Sequence, residues 1–147
     1  MSFDKRVDKL KEKLEQFNLE GIYITNITNV KYLTGFTGSA GSVLIVGEKK
    51  HFFTDGRYIE QSKKQVKNYQ IHIVGGAHYL AINKKKLISH SMQIGFEGEY
   101  VSVNTYSALS SILPNVKWNK TSGIVEEIAA VKDMLEIDSL KTAIEIT

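Results

Sequence analysis

SVLIVGEKKHFFTD, residues 42–55, holds two apolar, β-branched and aromatic runs separated only by Gly47, Glu48, Lys49 and Lys50. Such runs read as strands, and a break this short joins them as an antiparallel hairpin. Upstream, GIYITN (21–26) reads as a buried strand. Phe3, Val7, Leu10, Leu14 and Phe17 recur at the three-and-four spacing of an amphipathic helix over 3–18, with Gly21 placed to stop it. Downstream of Asp55 the pattern changes. Arg57 to about Val66 is helical, YQIHIVG (69–75) a strand, Tyr79 to about Ile88 helical and QIGFEG (93–98) a strand. Val103, Tyr106, Leu109 and Leu113 share one helical face behind Ser102, a candidate N-cap, and Pro114 follows where the helix must end. A final strand, VKWN (116–119), precedes two helical segments.

A hairpin followed by alternating helices and strands implies an α/β domain: a mixed sheet flanked by helices, because parallel pairings need helical crossovers. The 147 residues suffice for one ordinary core. With no cysteine, disulfides and thiolate metal sites are excluded, and a cytoplasmic location is the simplest expectation. MSFDKRVDKLKEKL at the amino terminus lacks the apolar run of a secretory signal, and no stretch reaches the length of a membrane span. The net charge of +3 and the run Lys84, Lys85, Lys86 read as a solvated helix face rather than a nucleic-acid surface, since no aromatic-and-basic stripe accompanies them.

The hairpin is entered through YLTGFTGSAG (32–41), a strand-forming aromatic followed by glycines at 35, 38 and 41. This is neither G-x-G-x-x-G nor G-K-[ST], and a strand rather than a helix follows, so no helix amino terminus meets a phosphate there. The glycines read as positive-φ positions in a tight strand entry. TDGRY (54–58) reads as a built corner: Asp55 caps a helix, Gly56 relieves the turn, and Arg57 offers a fork of donors. The histidines at 51, 72, 78 and 90 fall on different elements and do not pair at ligand spacing. Ser39 and Ser42 have no base visible in the sequence, and Glu97 and Glu99 share a strand face. These residues make no self-sufficient catalytic set.

NVKYLTGFTGSAGSVLIVGEKKHFFTDGRYIEQSKKQV (29–66) nevertheless resembles the amino-terminal domain of Xaa-Pro peptidases, the aminopeptidase P and prolidase group related to creatinase. There a Y-[LV]-[TS]-G-F-x-G-S-A-G loop leads through a hairpin to T-D-G-R-Y-x-x-Q. IGFEGEYVS (94–102) and VKDMLEIDSLKTAI (131–144) also look like that group. Ala129 stands where the group usually has arginine, and Ser62 where alanine is common. The resemblance implies a ribonuclease H-like amino-terminal domain followed by a pita-bread metallopeptidase domain. That second domain holds two divalent metal ions, often manganese, through ligands that all lie downstream. This chain alone is then expected to be inactive and metal-free. The implied role is non-catalytic: shaping access of short proline-containing peptides to the active site, and oligomerisation. Phe36, Thr37 and Ser39, with Arg57 and Tyr58 behind them, are the candidate substrate-access residues, and the glycine loop sets Tyr32 and Phe36 at a domain or subunit edge.

The implied boundary falls between 1–132 and 133–147. Asp133 and Glu136 resemble a capping box, and Ile137, Leu140 and Ile144 form an apolar stripe that stops without a terminator. The sequence therefore looks cut within the first helix of a catalytic half, and the segment after Asp133 is expected to be poorly ordered or to lean on another molecule. The implied partners are that catalytic half and further copies of the chain. Two other classes compete: a ribonuclease H-like nuclease using Asp55, Glu97 or Glu99 with magnesium, and a stand-alone interaction module.

Overall fold

The computed structural model describes residues 1–89 and 91–131. The 132/133 boundary, the Asp133–Glu136 cap, the apolar stripe after it and His90 lie outside the described residues. Helix α1 (Phe3–Gln16) starts on Ser2, whose side chain accepts from Lys5 N, and buries Val7, Leu10 and Leu14. Strand β1 (Gly21–Ile24) follows. The hairpin is β2 (Ser42–Val46) and β3 (Lys49–Thr54), paired antiparallel with Val46 opposite Lys49. Its turn is therefore two residues, shorter than the expected four, with Gly47 at φ 57, the sign that the primed hairpin turns need.

Between β1 and β2 lies a helix that the sequence does not announce, α2 (Ile27–Thr34). Tyr32 is thus helical, not a strand residue. Ile27, Thr28, Val30 and Thr34 are β-branched and hide the helix from propensity. Its ends are nonetheless built: Asn26 accepts from Asn29 N, and Gly35 closes it in the left-handed conformation at φ 81. After the hairpin come a 3₁₀ turn at Gly56–Tyr58, α3 (Ile59–Gln65), β4 (Gln70–Ile73), α4 (Tyr79–Lys84), β5 (Gln93–Glu97), α5 (Val103–Ile112) and β6 (Lys117–Thr121). Residues 124–131 are helical. Helix α4 ends short of Ile88 because the chain reverses at Lys86, φ 53.

Among the described residues the six strands form one sheet in the order β4-β3-β2-β1-β5-β6. Only β2 runs against the others, so five strands deliver their carboxyl ends to one edge, where β2 begins. The pleat splits the core into two layers. Ile22, Ile24, Val43, Ile45 and Phe52 face α1, α2 and the helical segment 124–131. Tyr23, Leu44, Val46, Phe53 and Ile94 face α4 and α5. This is the expected mixed sheet flanked by helices, covered on both faces.

One apolar stripe departs from expectation. Ser102 caps α5 by accepting from Thr105 N, as its sequence suggests. Yet Val103 is 81% exposed and Tyr106 40%, while Leu109 is fully buried. The start of the helix overhangs the sheet at Val103, Tyr106 covers its margin with its ring 5.1 Å from that of Phe96, and Leu109 packs into the core. Leu109→Ala should accordingly cost about 3 kcal/mol of unfolding free energy, as buried leucine truncations do, whereas Val103→Ala should stay within about 0.5 kcal/mol. Urea denaturation of the two variants checks this, and equal losses would contradict the packing.

Candidate functional site

The glycine loop is organised by one ring. Phe36 is fully buried, edge-on to Phe52 at 4.9 Å and to Tyr58 at 5.4 Å between centroids. A Cβ on Gly38 would sit 2.3 Å from Phe36 Cζ, and one on Gly41 3.2 Å from the Phe36 and Phe52 rings. Of the three loop glycines, only Gly35 has positive φ among the described residues; the other two are small because the ring lies against their backbone. Phe36 is thus placed beneath the loop, and its ring supports the exposed Thr37 and Ser39.

Those two are pinned from α3 and the 3₁₀ turn. Thr37 N donates to Gln65 Oε1 (3.0 Å), and Thr37 Oγ1 accepts from Gln61 Nε2 (3.0 Å) and Gln65 Nε2 (2.9 Å). Ser39 N donates to the Tyr58 hydroxyl (3.2 Å), and the two hydroxyls share a 2.5 Å bond. Asp55 caps the turn by accepting from Arg57 N, and takes the Arg57 guanidinium through Nε (3.0 Å) and Nη2 (2.7 Å). The hydrogen bond from that guanidinium holds the Asp55 carboxyl down at about 2. The bonds from Ser39 lower the Tyr58 phenol. The candidates Thr37, Ser39, Arg57 and Tyr58 therefore form one contiguous polar edge at the carboxyl ends of the strands, where open α/β sheets bind ligands. Gln61 and Gln65 complete it. Gln61 is the glutamine of T-D-G-R-Y-x-x-Q, so a signal for it existed; Gln65 had none.

Tyr32 lies on α2 at the entry to the glycine loop. The Arg6 guanidinium lies 4.3 Å from its ring centroid and donates to the Tyr32 carbonyl oxygen at 2.7 Å. Ser42, left without a base by the sequence, has one in space: its Oγ lies 2.9 Å from His78 Nδ1 and accepts from the Tyr23 hydroxyl at 3.4 Å. Ser42 is buried, so this pair clamps the 74–78 loop to β2 and offers no accessible nucleophile. Burial lowers the His78 pKa, opposed by the nearby Asp55 charge.

The carboxylates proposed for a nuclease do not converge. Asp55 follows β3 and Glu97 ends β5, with β2 and β1 between them. Three strand spacings amount to roughly 14 Å, against the about 4 Å between ions in two-metal sites. Glu97 is occupied elsewhere: buried, it accepts from Thr25 N (2.8 Å), Asn26 N (2.9 Å) and Asn29 Nδ2 (2.5 Å), and burial raises its pKa against those donors. Asn29 also donates to Glu126 Oε1 at 3.0 Å. Glu99 accepts from Ser122 Oγ at 2.6 Å. Among the described residues no three histidine, cysteine or acidic side chains gather where they could hold a metal ion.

The expectation that the histidines do not pair is corrected for two of them. On adjacent parallel strands, His51 Nδ1 and His72 Nε2 lie 3.0 Å apart, and Lys85 Nζ is 2.7 Å from His72 Nδ1. Lysine only donates, so His72 donates through Nε2 to His51 Nδ1, and the buried His51 Nε2 is left without a partner. Nothing in the spacing of 51 and 72 shows this, because it depends on strand register.

Residues 6–131 match the family described as the Creatinase/Prolidase N-terminal domain. The chain belongs to that family. Its relatives include the uncharacterised peptidase YqhT of Bacillus subtilis, 35% identical over 142 residues, which are 96% of this chain and 40% of that protein. The fold is shared with a Bacillus anthracis Xaa-Pro dipeptidase at TM-score 0.77 and 32% identity, over 86% of this chain and 36% of the other. It is shared also with the amino-terminal domain of the cytoplasmic peptidase PepQ of Mycobacterium tuberculosis, at TM-score 0.76 and 29% identity, over 84% of this chain and 98% of that one. This chain therefore spans about 40% of the length of that curated relative and nearly all of the solved PepQ amino-terminal domain. No helix of the described residues is long and apolar enough to cross a membrane.

Burial, aided by the Lys85 charge, lowers the pKa of His72 to about 4, and burial likewise lowers that of His51. The unfolded chain therefore takes up protons near pH 6.5 that the creatinase/prolidase fold refuses until about pH 4. This contribution to stability is present above pH 6.5 and is lost as pH falls through that window. Urea titrations at pH 7.0, 5.5 and 4.5 should show a falling midpoint, and the fall should be shallower in His72→Gln. Parallel slopes in the two proteins would contradict the assignment.

Proposed function

We propose that this chain is the non-catalytic amino-terminal domain of a metal-dependent Xaa-Pro peptidase, an aminopeptidase P or prolidase that hydrolyses the peptide bond before proline. Residues 1–132 form the domain, and 133–147 begin the catalytic half. The observation that carries this reading is the family match over residues 6–131, together with a relative more than twice as long as the matched segment. The two divalent ions, often manganese, belong to that catalytic half, as the family resemblance implies. The protein is cytoplasmic, as PepQ is, and acts on short proline-containing peptides, not on nucleic acid or membranes.

Within that enzyme the domain's contribution is steric and oligomeric. The edge formed by Thr37, Ser39, Arg57 and Tyr58 narrows the mouth of an active site, that of a partner subunit in a homo-oligomer, and so favours short peptides. Three features support this. The edge lies at the carboxyl ends of the strands, its tip is held by bonds from α3, and the buried Phe36 anchors its base. A rigid obstacle discriminates by length; a mobile one yields.

The test is the ratio of kcat/KM for a proline dipeptide to that for a proline pentapeptide, measured on the metal-loaded enzyme containing the catalytic half. Replacing Thr37 and Ser39 by glycine should lower this preference about tenfold, within the range that pocket contacts command. The 147-residue chain alone, supplied with manganese, should cleave neither. An unaltered ratio would remove the access role, and cleavage by the short chain would remove the non-catalytic one.

A further inference from the structure

The polar edge has hydroxyl hydrogens that find no acceptor among the described residues. Thr37 N–H points at Gln65, which fixes the Gln65 amide with Oε1 toward that N–H and Nε2 toward the Thr37 hydroxyl. Gln61 lies within reach of both Thr37 Oγ1 (3.0 Å) and Gln65 Oε1 (3.2 Å), so it too must present nitrogen. The Thr37 hydroxyl oxygen therefore receives two amide hydrogens and its own hydrogen is left unspent. The Ser39 and Tyr58 hydroxyls share one bond, and the Tyr58 oxygen accepts in addition from Ser39 N. Whichever of the two donates, one hydroxyl hydrogen of the pair is left over, on an exposed edge. The Arg57 guanidinium spends only Nε and Nη2 on Asp55.

We propose that the unspent hydroxyl hydrogens of Thr37 and of the Ser39–Tyr58 pair grip an acceptor oxygen of the bound peptide, with Gln61 and Gln65 as positioning residues that aim the Thr37 hydroxyl. This rests on the reading of the edge as a substrate-access element and adds what that edge recognises. The ligand chemistry is an acceptor oxygen, supplied by a backbone carbonyl or a terminal carboxylate. A steric rim needs no such donors. A recognising rim needs them held outward, and the two glutamines do this by filling both lone pairs of Thr37. The Thr37 arrangement is pre-organised because the orientations of Gln65, Gln61 and the Thr37 hydroxyl all follow from one backbone N–H.

The experiment uses the metal-loaded enzyme containing the catalytic half, a proline dipeptide, and the same dipeptide as its carboxyl-terminal amide. Thr37→Val removes the donor and should raise KM about tenfold with little change in kcat, the size expected of one lost hydrogen bond to a charged or strongly polar acceptor. Thr37→Ser should restore it. Gln65→Glu is the discriminating variant. A carboxylate cannot donate to Thr37, so the hydroxyl turns inward to donate to it, and KM should rise as in Thr37→Val although the hydroxyl is still there. A penalty confined to the free acid assigns the acceptor to the terminal carboxylate; an equal penalty on the amide assigns it to a carbonyl. KM values within about twofold of the unsubstituted enzyme for both substrates, or a loss in kcat alone, would overturn the inference while leaving length selection intact. An unsubstituted enzyme inactive on every proline peptide would overturn the functional reading beneath it, and this inference too.

Discussion

Everything at the polar edge depends on where the Phe36 ring sits. It is fully buried between Phe52 of the hairpin and Tyr58 of the following turn, so one side chain joins the loop, the second hairpin strand and the corner before α3. Burying a ring of this size contributes about 2–3 kcal/mol. It also dictates its neighbours: Gly38 has no room for a Cβ against it, and Gly41 leaves one only a tight 3.2 Å. The glycine spacing that invites a phosphate-loop reading is, physically, the clearance around an aromatic ring. With the ring in place, Tyr58 is set where its hydroxyl meets Ser39, and Gln61 and Gln65, on the helix that follows, meet Thr37.

A second constraint acts at the same end of the sheet. Glu97 is buried with two backbone N–H groups and the Asn29 amide directed at it, and Asn29 gives its other hydrogen to Glu126 in the helical segment 124–131. The Tyr100 hydroxyl donates to the other Glu126 oxygen at 2.9 Å. A buried carboxylate so supplied is costly to disturb, because removing any donor strands the others. The helical segment 124–131 is therefore tied to the carboxyl ends of β1 and β5, and the polar edge to the start of β2 and the carboxyl end of β3. Both belong to one rigid sheet.

The hairpin, the crossover helices and the Ser102 cap were legible in the sequence because each rests on local chemistry: runs of β-branched residues, a short turn, an oxygen ahead of an apolar face. Helix α2 was not, since its β-branched residues outweigh its local caps Asn26 and Gly35, and one of its anchors, Asn29 reaching Glu97, lies 68 residues away. The α5 stripe was read correctly as periodic yet overextended, because periodicity does not say where the underlying sheet ends; Val103 lies beyond it. At the candidate site, Thr37, Ser39, Arg57 and Tyr58 could be named from motifs. That Phe36 faces inward, that His51 meets His72, and that Gln65 orients Thr37 all depend on strand register and rotamer, which one sequence does not display.

The central claim is that Phe36 holds the edge rigid, and hydrogen exchange at two amides tests it most directly. Thr37 N–H and Ser39 N–H are bonded to side chains, not to the sheet, so they report on the loop alone. In the unsubstituted protein both should exchange slowly. In Phe36→Ala their protection should fall by about a hundredfold more than that of Leu44 in β2, through local opening rather than global unfolding. Equal protection of Thr37 and Ser39 in the two proteins, once corrected for global stability, would contradict the account.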